Sequence, residues 1–361
     1  MRRVVLSICI PLHNRSEVAI SHIEKILKVN DSRYNIVVSD SSDDGLDLNS
    51  IWRKTDSRVK IYRVSSKLPA ISNWKKVLDF ADGIFAFHLN DRDILVEDKL
   101  QELLDFLEKR KDYSGGICKY ISTSTEHFEF KDNISALMNV PFFSSHVTGI
   151  IFNTERYKAI ENLDYIFSNA CGIHPHDIVL GYLAQKGKMF IYTSEIWNYA
   201  SPEFYKKNQS GVSSKKMGLF FTPENRLFEL KQSVKMLNKL EFSEKVKSCK
   251  TDQMIKTYLE LSTNGYFYFL ESDHETAHYG IEREKFGLIR RYKFSIYVID
   301  LYVKELGISK EQKRRYKKWL TKSIVIPVIA KYTSKIKNQK LRNLLKRMRL
   351  KRGAVDNAYL R

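Results

Sequence analysis

The chain has 361 residues, 43% of them hydrophobic and 12% aromatic, enough to bury a large core in one domain or two. Its formal net charge of +19 suggests a polyanionic partner until it is mapped: residues 309–352 carry +16 of it, with 17 Lys or Arg against the single acid Glu311. The remaining +3 leaves a nearly neutral body, which argues against a nucleic-acid-binding fold, and no apolar run approaches the roughly 20 residues that span a bilayer.

The first predicted strand is Leu6-Ser-Ile-Cys-Ile-Pro-Leu-His-Asn14, followed by a helix over 18–29 with Val18, Ile23, Ile26, Leu27 and Val29 inward. A second strand, Asn35 to about Asp40, runs into the polar turn Ser41-Ser-Asp-Asp-Gly45. Residues 59–64 alternate as a short strand, and 71–80 read as a helix closed by Asp82-Gly83. The third buried strand is Ile84-Phe-Ala-Phe-His-Leu-Asn-Asp-Arg-Asp93, and a helix over 98–109 turns Leu100, Leu103, Leu104 and Leu107 inward. Near-continuous apolar runs of this kind suit buried parallel strands, whose ligands bind beyond their carboxyl ends. Right-handed crossovers then make the sheet largely parallel.

Beyond residue 110 the pattern mixes strands at 146–152 and 189–192 with helices at 155–161 and 177–185. It becomes mainly helical at 225–240 and 251–270. The expected division is a β/α half at 1–110, a mixed half at 111–210, a helical extension at 211–307 and a basic tail at 308–361. Cys9, Cys118, Cys171 and Cys249 are far apart with no Cys-x-x-Cys pair, and Met1-Arg-Arg leads into a strand instead of a signal-peptide core. Reduced thiols and a cytoplasmic location are expected.

Five segments carry a family resemblance. They are Ser7-Ile-Cys-Ile-Pro-Leu-His-Asn14, Val37-Val-Ser-Asp-Ser-Ser-Asp-Asp44, Asn73-Trp-Lys-Lys-Val-Leu through Asp91-Arg-Asp93, Gly149-Ile-Ile-Phe-Asn-Thr-Glu-Arg156 with Leu163-Asp164, and His176-Asp-Ile-Val-Leu-Gly-Tyr-Leu-Ala-Gln-Lys-Gly187. In this order they resemble a family 2 glycosyltransferase of the GT-A fold over roughly residues 4–200. That resemblance implies an α/β nucleotide-diphospho-sugar transferase: a Rossmann-like, mainly parallel sheet flanked by helices, with a C-terminal helical extension and a basic amphipathic tail.

The resemblance implies a nucleotide-sugar site built from Pro11, His13, Asn14, Arg15, Asp40, Asn73, Asp91 and Arg92. A carboxylate ending the second strand, Asp40, suits the N3–H of uracil, or caps its own turn. Asp91 and Asp93 offer hard oxygen ligands for Mn²⁺ or Mg²⁺ beside a diphosphate, and Asp93 is the favoured one. The family more often has an acid where this chain has Asn90 or Arg92. Inverting transfer needs a general base, a role the resemblance puts on Asp177; the alternative is a first-turn helix acid placed by the macrodipole. His176 stands where the family usually has Glu, and His174 with His176 lacks a third ligand for a metal site.

In the tail, Leu341, Leu344, Leu345 and Met348 keep helical spacing among Lys340, Arg342, Lys346, Arg347 and Arg349. This is the composition of a helix lying in a membrane interface, where each base adds about 1 kcal/mol near anionic lipid; a solvated tail is the alternative. Ile324 to Ala330 is too short to cross a bilayer, and Gln312-Lys-Arg-Arg-Tyr316 is only loosely similar to the Gln-x-x-Arg-Trp signature of processive synthases. The expected acceptor is therefore a lipid-linked or polymeric cell-envelope glycan that receives one or a few sugars at the inner membrane face. Two rivals are a nucleotidyltransferase, whose glycine-rich triphosphate loop is missing, and a nucleic-acid-binding protein using the tail, which predicts steeply salt-dependent affinity.

Overall fold

The computed structural model describes residues 4–44, 47–52, 56–118, 127–142, 147–169, 175–198, 221–273, 275–276 and 281–333. The chain divides into two compact units, Met1–Ser201 with Met236–Lys247, and Pro202–Lys235 with Ser248–Arg361.

The first unit is built on β1 (Leu6–Leu12), α1 (Ser16–Leu27), β2 (Tyr34–Asp40), α2 (Leu48–Trp52), β3 (Val59–Arg63), α3 (Ala70–Asp79) and β4 (Phe85–His88). β1 and β2 are buried along their whole length, as their unbroken apolar runs require. β1 lies between β2 and β4, parallel to both, with Leu12 opposite Asp40 and Cys9 opposite His88. All three strands therefore discharge their polar ends at one edge. Ile23 and Ile26 of α1 and Val77 and Leu78 of α3 are buried.

The expected third strand to residue 93 stops at His88, because Asn90 to Asp93 folds into a turn closed by the Asp93 N–H on the Asn90 carbonyl at 3.0 Å. A two-residue strand, β5 (Ile94–Leu95), follows, and then α4 (Leu100–Glu108), which buries the four expected leucines.

The remaining elements of this unit are β6 (Gly115–Cys118), β7 (Phe128–Phe130), α5 (Asn133–Asn139), β8 (Ile150–Asn153), α6 (Thr154–Lys158), α7 (Leu163–Asn169), α8 (Pro175–Gln185), β9 (Met189–Tyr192) and β10 (Trp197–Asn198). The eight-stranded sheet runs β3-β2-β1-β4-β8-β6-β9-β7, and β5 pairs with β10 in a separate ribbon. It is mixed, and parallel from β3 through β4: β8 runs antiparallel to both β4 and β6, and β7 antiparallel to β9. The strand expected at 146–152 begins only at Ile150, since Gly149 takes φ 91° and turns Thr148 away from the ladder.

The second unit contains α9 (Pro223–Lys239) and α10 (Glu244–Glu260), whose ends lie in the first unit, then a π-turn at Leu261–Gly265, α11 (Tyr266–Glu271), α12 (Leu288–Leu306) and α13 (Lys310–Thr333). Gly307, at φ 64°, ends α12 with its N–H on the Val303 carbonyl. The Ser262 and Tyr302 hydroxyls meet at 2.6 Å beside the π-turn. The start of the basic segment is packed: Tyr316 and Leu320 are buried, and the Tyr316 hydroxyl donates to Asp252 Oδ1 at 2.7 Å. No helix among the described residues is long and apolar enough to cross a membrane. Leu341, Leu344, Leu345, Met348, Cys171 and His174 lie outside the described residues. Cys9, Cys118 and Cys249 are free thiols.

Gly149 gives a direct check on this packing. A Cβ there would collide with the Trp197 indole nitrogen and lie 2.6 Å from the Cys118 carbonyl, in addition to the left-handed backbone. Gly149→Ala is expected to destabilise the chain by about 2–4 kcal/mol, read as a lower urea midpoint with unchanged slope.

Candidate functional site at the carboxyl ends of the strands

The loop after β1 is locked to the loop after β2. Asn14 holds the left-handed φ of 53°, which its short amide side chain tolerates. Its N–H donates to Ser42 Oγ and its Oδ1 accepts from the Asp43 N–H, both at 2.8 Å. His13 Nδ1 lies 3.0 Å from the Ser41 carbonyl, and the Ser16 N–H reaches Asp44 Oδ2 at 3.2 Å. Pro11 is buried within β1 one residue short of its end.

Asp40 is almost wholly buried. Its Oδ1 accepts from the Ser42 N–H at 2.9 Å, so it does cap its own turn, and its Oδ2 takes the Arg63 guanidinium, which also donates to the Ser42 carbonyl. Arg63 was not legible as a site residue, although the parallel register of β2 and β3 sets it opposite Asp40. Asn73, expected among the nucleotide-sugar ligands, is bonded to protein on several sides. It accepts from Ser39 Oγ at 2.6 Å and donates to the Leu12 carbonyl at 3.1 Å and to the Ser39 carbonyl and Ser41 Oγ at 3.2 Å. With both ends of its amide engaged, it braces α3 against the ends of β1 and β2.

The turn after β4 places Asp91 and Asp93 at the same edge. Asp91 pairs with Arg15 Nε at 3.0 Å, the contact that joins the β1 loop to this turn. Burial pushes the Asp91 carboxyl above its ordinary value, against the pull of Arg15 and the half-buried Arg92. Asp93 is fully buried, and its Oδ2 accepts the Thr148 hydroxyl; Thr148 Oγ1 in turn accepts the Asn90 N–H at 3.0 Å. Thr148 is the second residue that sequence reasoning missed, and its only signal is the Thr-Gly step just before a buried strand.

Asp177 is buried in the first turn of α8, where Pro175 occupies the opening position. The neighbouring His176 puts its Nε2 3.2 Å from Nδ1 of His88, the last residue of β4. The structure thus gathers His13, Asn14, Arg15, Asp40 and Asp91 at one edge, with Asp93 joined through Thr148 and the helix of Asp177 joined through the two histidines. Among the described residues no three or more His, Cys, Asp or Glu are grouped to hold a metal. The oxygen-only pair Asp91 and Asp93 fits a hard divalent cation as a partial ligand set, which phosphate oxygens of a donor would complete.

A mostly parallel sheet with polar loops at the carboxyl ends of β1, β2 and β4, followed by an antiparallel β8, is the nucleotide-diphospho-sugar transferase architecture of the GT-A fold. Residues 7–174 match the family model described as glycosyl transferase family 2. Over that stretch the chain is similar to the family 2 glycosyltransferases. Residues 1–349 of S. aureus TarS superpose with a TM-score of 0.54 at 13% identity, covering 87% of this chain and 88% of that one. The same fragment in complex with UDP-GlcNAc gives 0.54 at 12% identity over the same shares. Against the longer S. aureus TarS chain the TM-score is 0.53 at 13% identity, with 97% of this chain matched but only 53% of that one. At such identities the likeness is one of fold. No curated protein sequence matches the chain.

The Thr148 hydroxyl, which links Asp93 to the Asn90 N–H, can be tested as a unit. A hydrogen bond to a buried charged group contributes about 1.5–3 kcal/mol. Thr148→Val, which keeps the shape but deletes both bonds, should lose at least that amount in urea unfolding, whereas Thr148→Ser should retain most of it.

Proposed function

We propose that the chain is a glycosyltransferase that moves a sugar from a uridine diphosphate sugar, with inversion and with a divalent metal, to a lipid-linked or polymeric cell-envelope glycan. The observation that carries this reading is the placement of two buried carboxylates, Asp91 and Asp93, on the turn ending β4, with the helix of Asp177 tied to the same strand end by His88 and His176. A uridine donor is supported by Asp40 at the end of β2 and by the UDP-GlcNAc complex of the structurally similar TarS fragment.

In this mechanism the loop of Pro11, His13, Asn14 and Arg15 borders the nucleoside, and Asp40 orients the base while held by Arg63. Asn73 supports both loops from behind. Arg15 and Arg92 lie close enough to Asp91 to offset diphosphate charge. Asp93 and Asp91 would hold Mn²⁺ or Mg²⁺, which when bound supplies Lewis acidity toward the departing diphosphate. Asp177 takes the proton of the acceptor hydroxyl as that oxygen bonds to the anomeric carbon and the carbon–oxygen bond to the β-phosphate breaks. The nucleoside diphosphate leaves with the bonding electron pair, and the sugar arrives with inverted configuration.

A membrane-proximal acceptor at the cytoplasmic face is supported by the concentration of positive charge in 309–352. In the described part of that segment, Lys313 pairs with Asp300 at 2.7 Å while Lys310, Arg314, Arg315 and Lys318 are exposed.

Titration calorimetry with UDP, GDP and CDP, with and without Mn²⁺, tests the donor. Selective, metal-dependent UDP binding is expected, weakened in Asp93→Asn; binding that ignores Mn²⁺ in both proteins would remove Asp93 from a metal role. Asp177→Asn should leave UDP affinity nearly intact and lower sugar transfer by roughly 10²–10⁴-fold. Full turnover in that variant would place the base elsewhere.

A further inference from the structure

His88 and His176 tie β4 to α8 but take part in no bond-making or proton-transfer step of the reaction outlined above. Both are fully buried. Their rings meet nearly at right angles, 82°, with centroids 4.6 Å apart and Nε2 of His176 3.2 Å from Nδ1 of His88. Trp74 closes one side, 5.3 Å from His176 and 5.9 Å from His88; Phe152 stacks on His176 at 6.0 Å, and Phe167 meets it edge-on at 5.8 Å.

An aromatic box is an expensive place for polar rings, since a pair of apolar side chains would pack there without desolvation cost. What the imidazoles add is direction. An N–H···N bond fixes both ring planes, and low dielectric strengthens it. One nitrogen of the contact must keep its lone pair, so the pair carries at most one positive charge. One ring ends β4, three residues before Asp91; the other belongs to α8 and adjoins Asp177. Because α8 turns by about 100° per residue, holding residue 176 fixes the direction in which residue 177 projects.

We propose that the His88–His176 hydrogen bond is the positioning element that sets Asp177 against the donor-binding turn. Neither histidine is a catalytic residue; each acts through Asp177, and the proposal rests on the reading of Asp177 as the base.

The test uses the full chain with Mn²⁺ and UDP-N-acetylglucosamine as probe, following UDP release with water as acceptor, alongside UDP affinity by calorimetry and the melting temperature. His176→Phe keeps the ring and deletes the bond; His176→Gln keeps an amide near the Nε2 position. Misplacing a reacting group by about 1 Å costs up to 10²-fold, so His176→Phe should lose roughly 10–100-fold in kcat while KM and UDP affinity hold within about threefold. His176→Gln should recover most of that loss.

A folded His176→Phe with the wild-type kcat, or a Gln variant as slow as Phe, overturns the proposal. If the Phe variant does not fold, His88→Asn, whose amide lies near the Nδ1 position, and His176→Gln decide. Turnover near wild type in both supports the link, and a loss beyond about tenfold in either overturns it. Failures of the underlying reading look different: no UDP release by the wild-type chain removes the donor assignment and this role with it, and wild-type release by Asp177→Asn removes the base assignment whatever the histidines do.

Discussion

The parallel pairing of β1 with β2 on one side and β4 on the other is the constraint on which the site depends. Parallel strands share a direction, so their carboxyl ends and the loops that follow converge at one edge, where residues far apart in the chain become neighbours. Apolar side chains cover the strands throughout, and this burial excludes register slips that would carry Asp40 or Asp91 away from the edge. The antiparallel β8 then delivers Thr148 to the turn after β4 and completes the support of Asp93.

Within that frame, buried polar groups and the cations that pair with them do the fine positioning. Asn73 ties two loops with one amide, Thr148 ties Asp93 to Asn90, Arg63 holds Asp40, and Arg15 spans from the first loop to Asp91. Each link joins segments that the chain separates by at least 23 residues. Buried polar atoms are costly unless partnered, so these links specify a single arrangement of the edge. The burial that makes them directional also displaces the Asp91 carboxyl from its ordinary value.

The second unit obeys different physics. Its helices bury aromatic rings such as Phe267 and Tyr302, and polar contacts at the π-turn and at Tyr316 fix its interior. Positive charge rises toward the end of the chain, and in the first turns of α13 it is divided between cations paired to Asp300 and cations facing solvent. The basic segment therefore begins as an integral helix of this unit, with Tyr316 and Leu320 as its anchors.

Sequence periodicity by itself determined β1 to β4, the helices α1, α3 and α4, and the strand end at Asp40, because buried strands and amphipathic helices are written in local spacing; it missed the short α2 and β5 and ran β4 past His88 through the turn of Asp91 and Asp93. It did not locate the short strands β6 and β7 or the helices α5 and α7, where three to seven glycine-rich or mixed residues carry too little pattern to separate strand, turn and helix. Nor could spacing reveal that β8 runs antiparallel to β4, that Asn73 faces protein, or that Arg63, Thr148 and His88 stand beside Asp40, Asp93 and His176. Those partnerships are long-range. Local sequence encodes which face of an element is apolar, but only the packed tertiary structure, by requiring every buried polar atom to find a partner, decides which distant side chain supplies it.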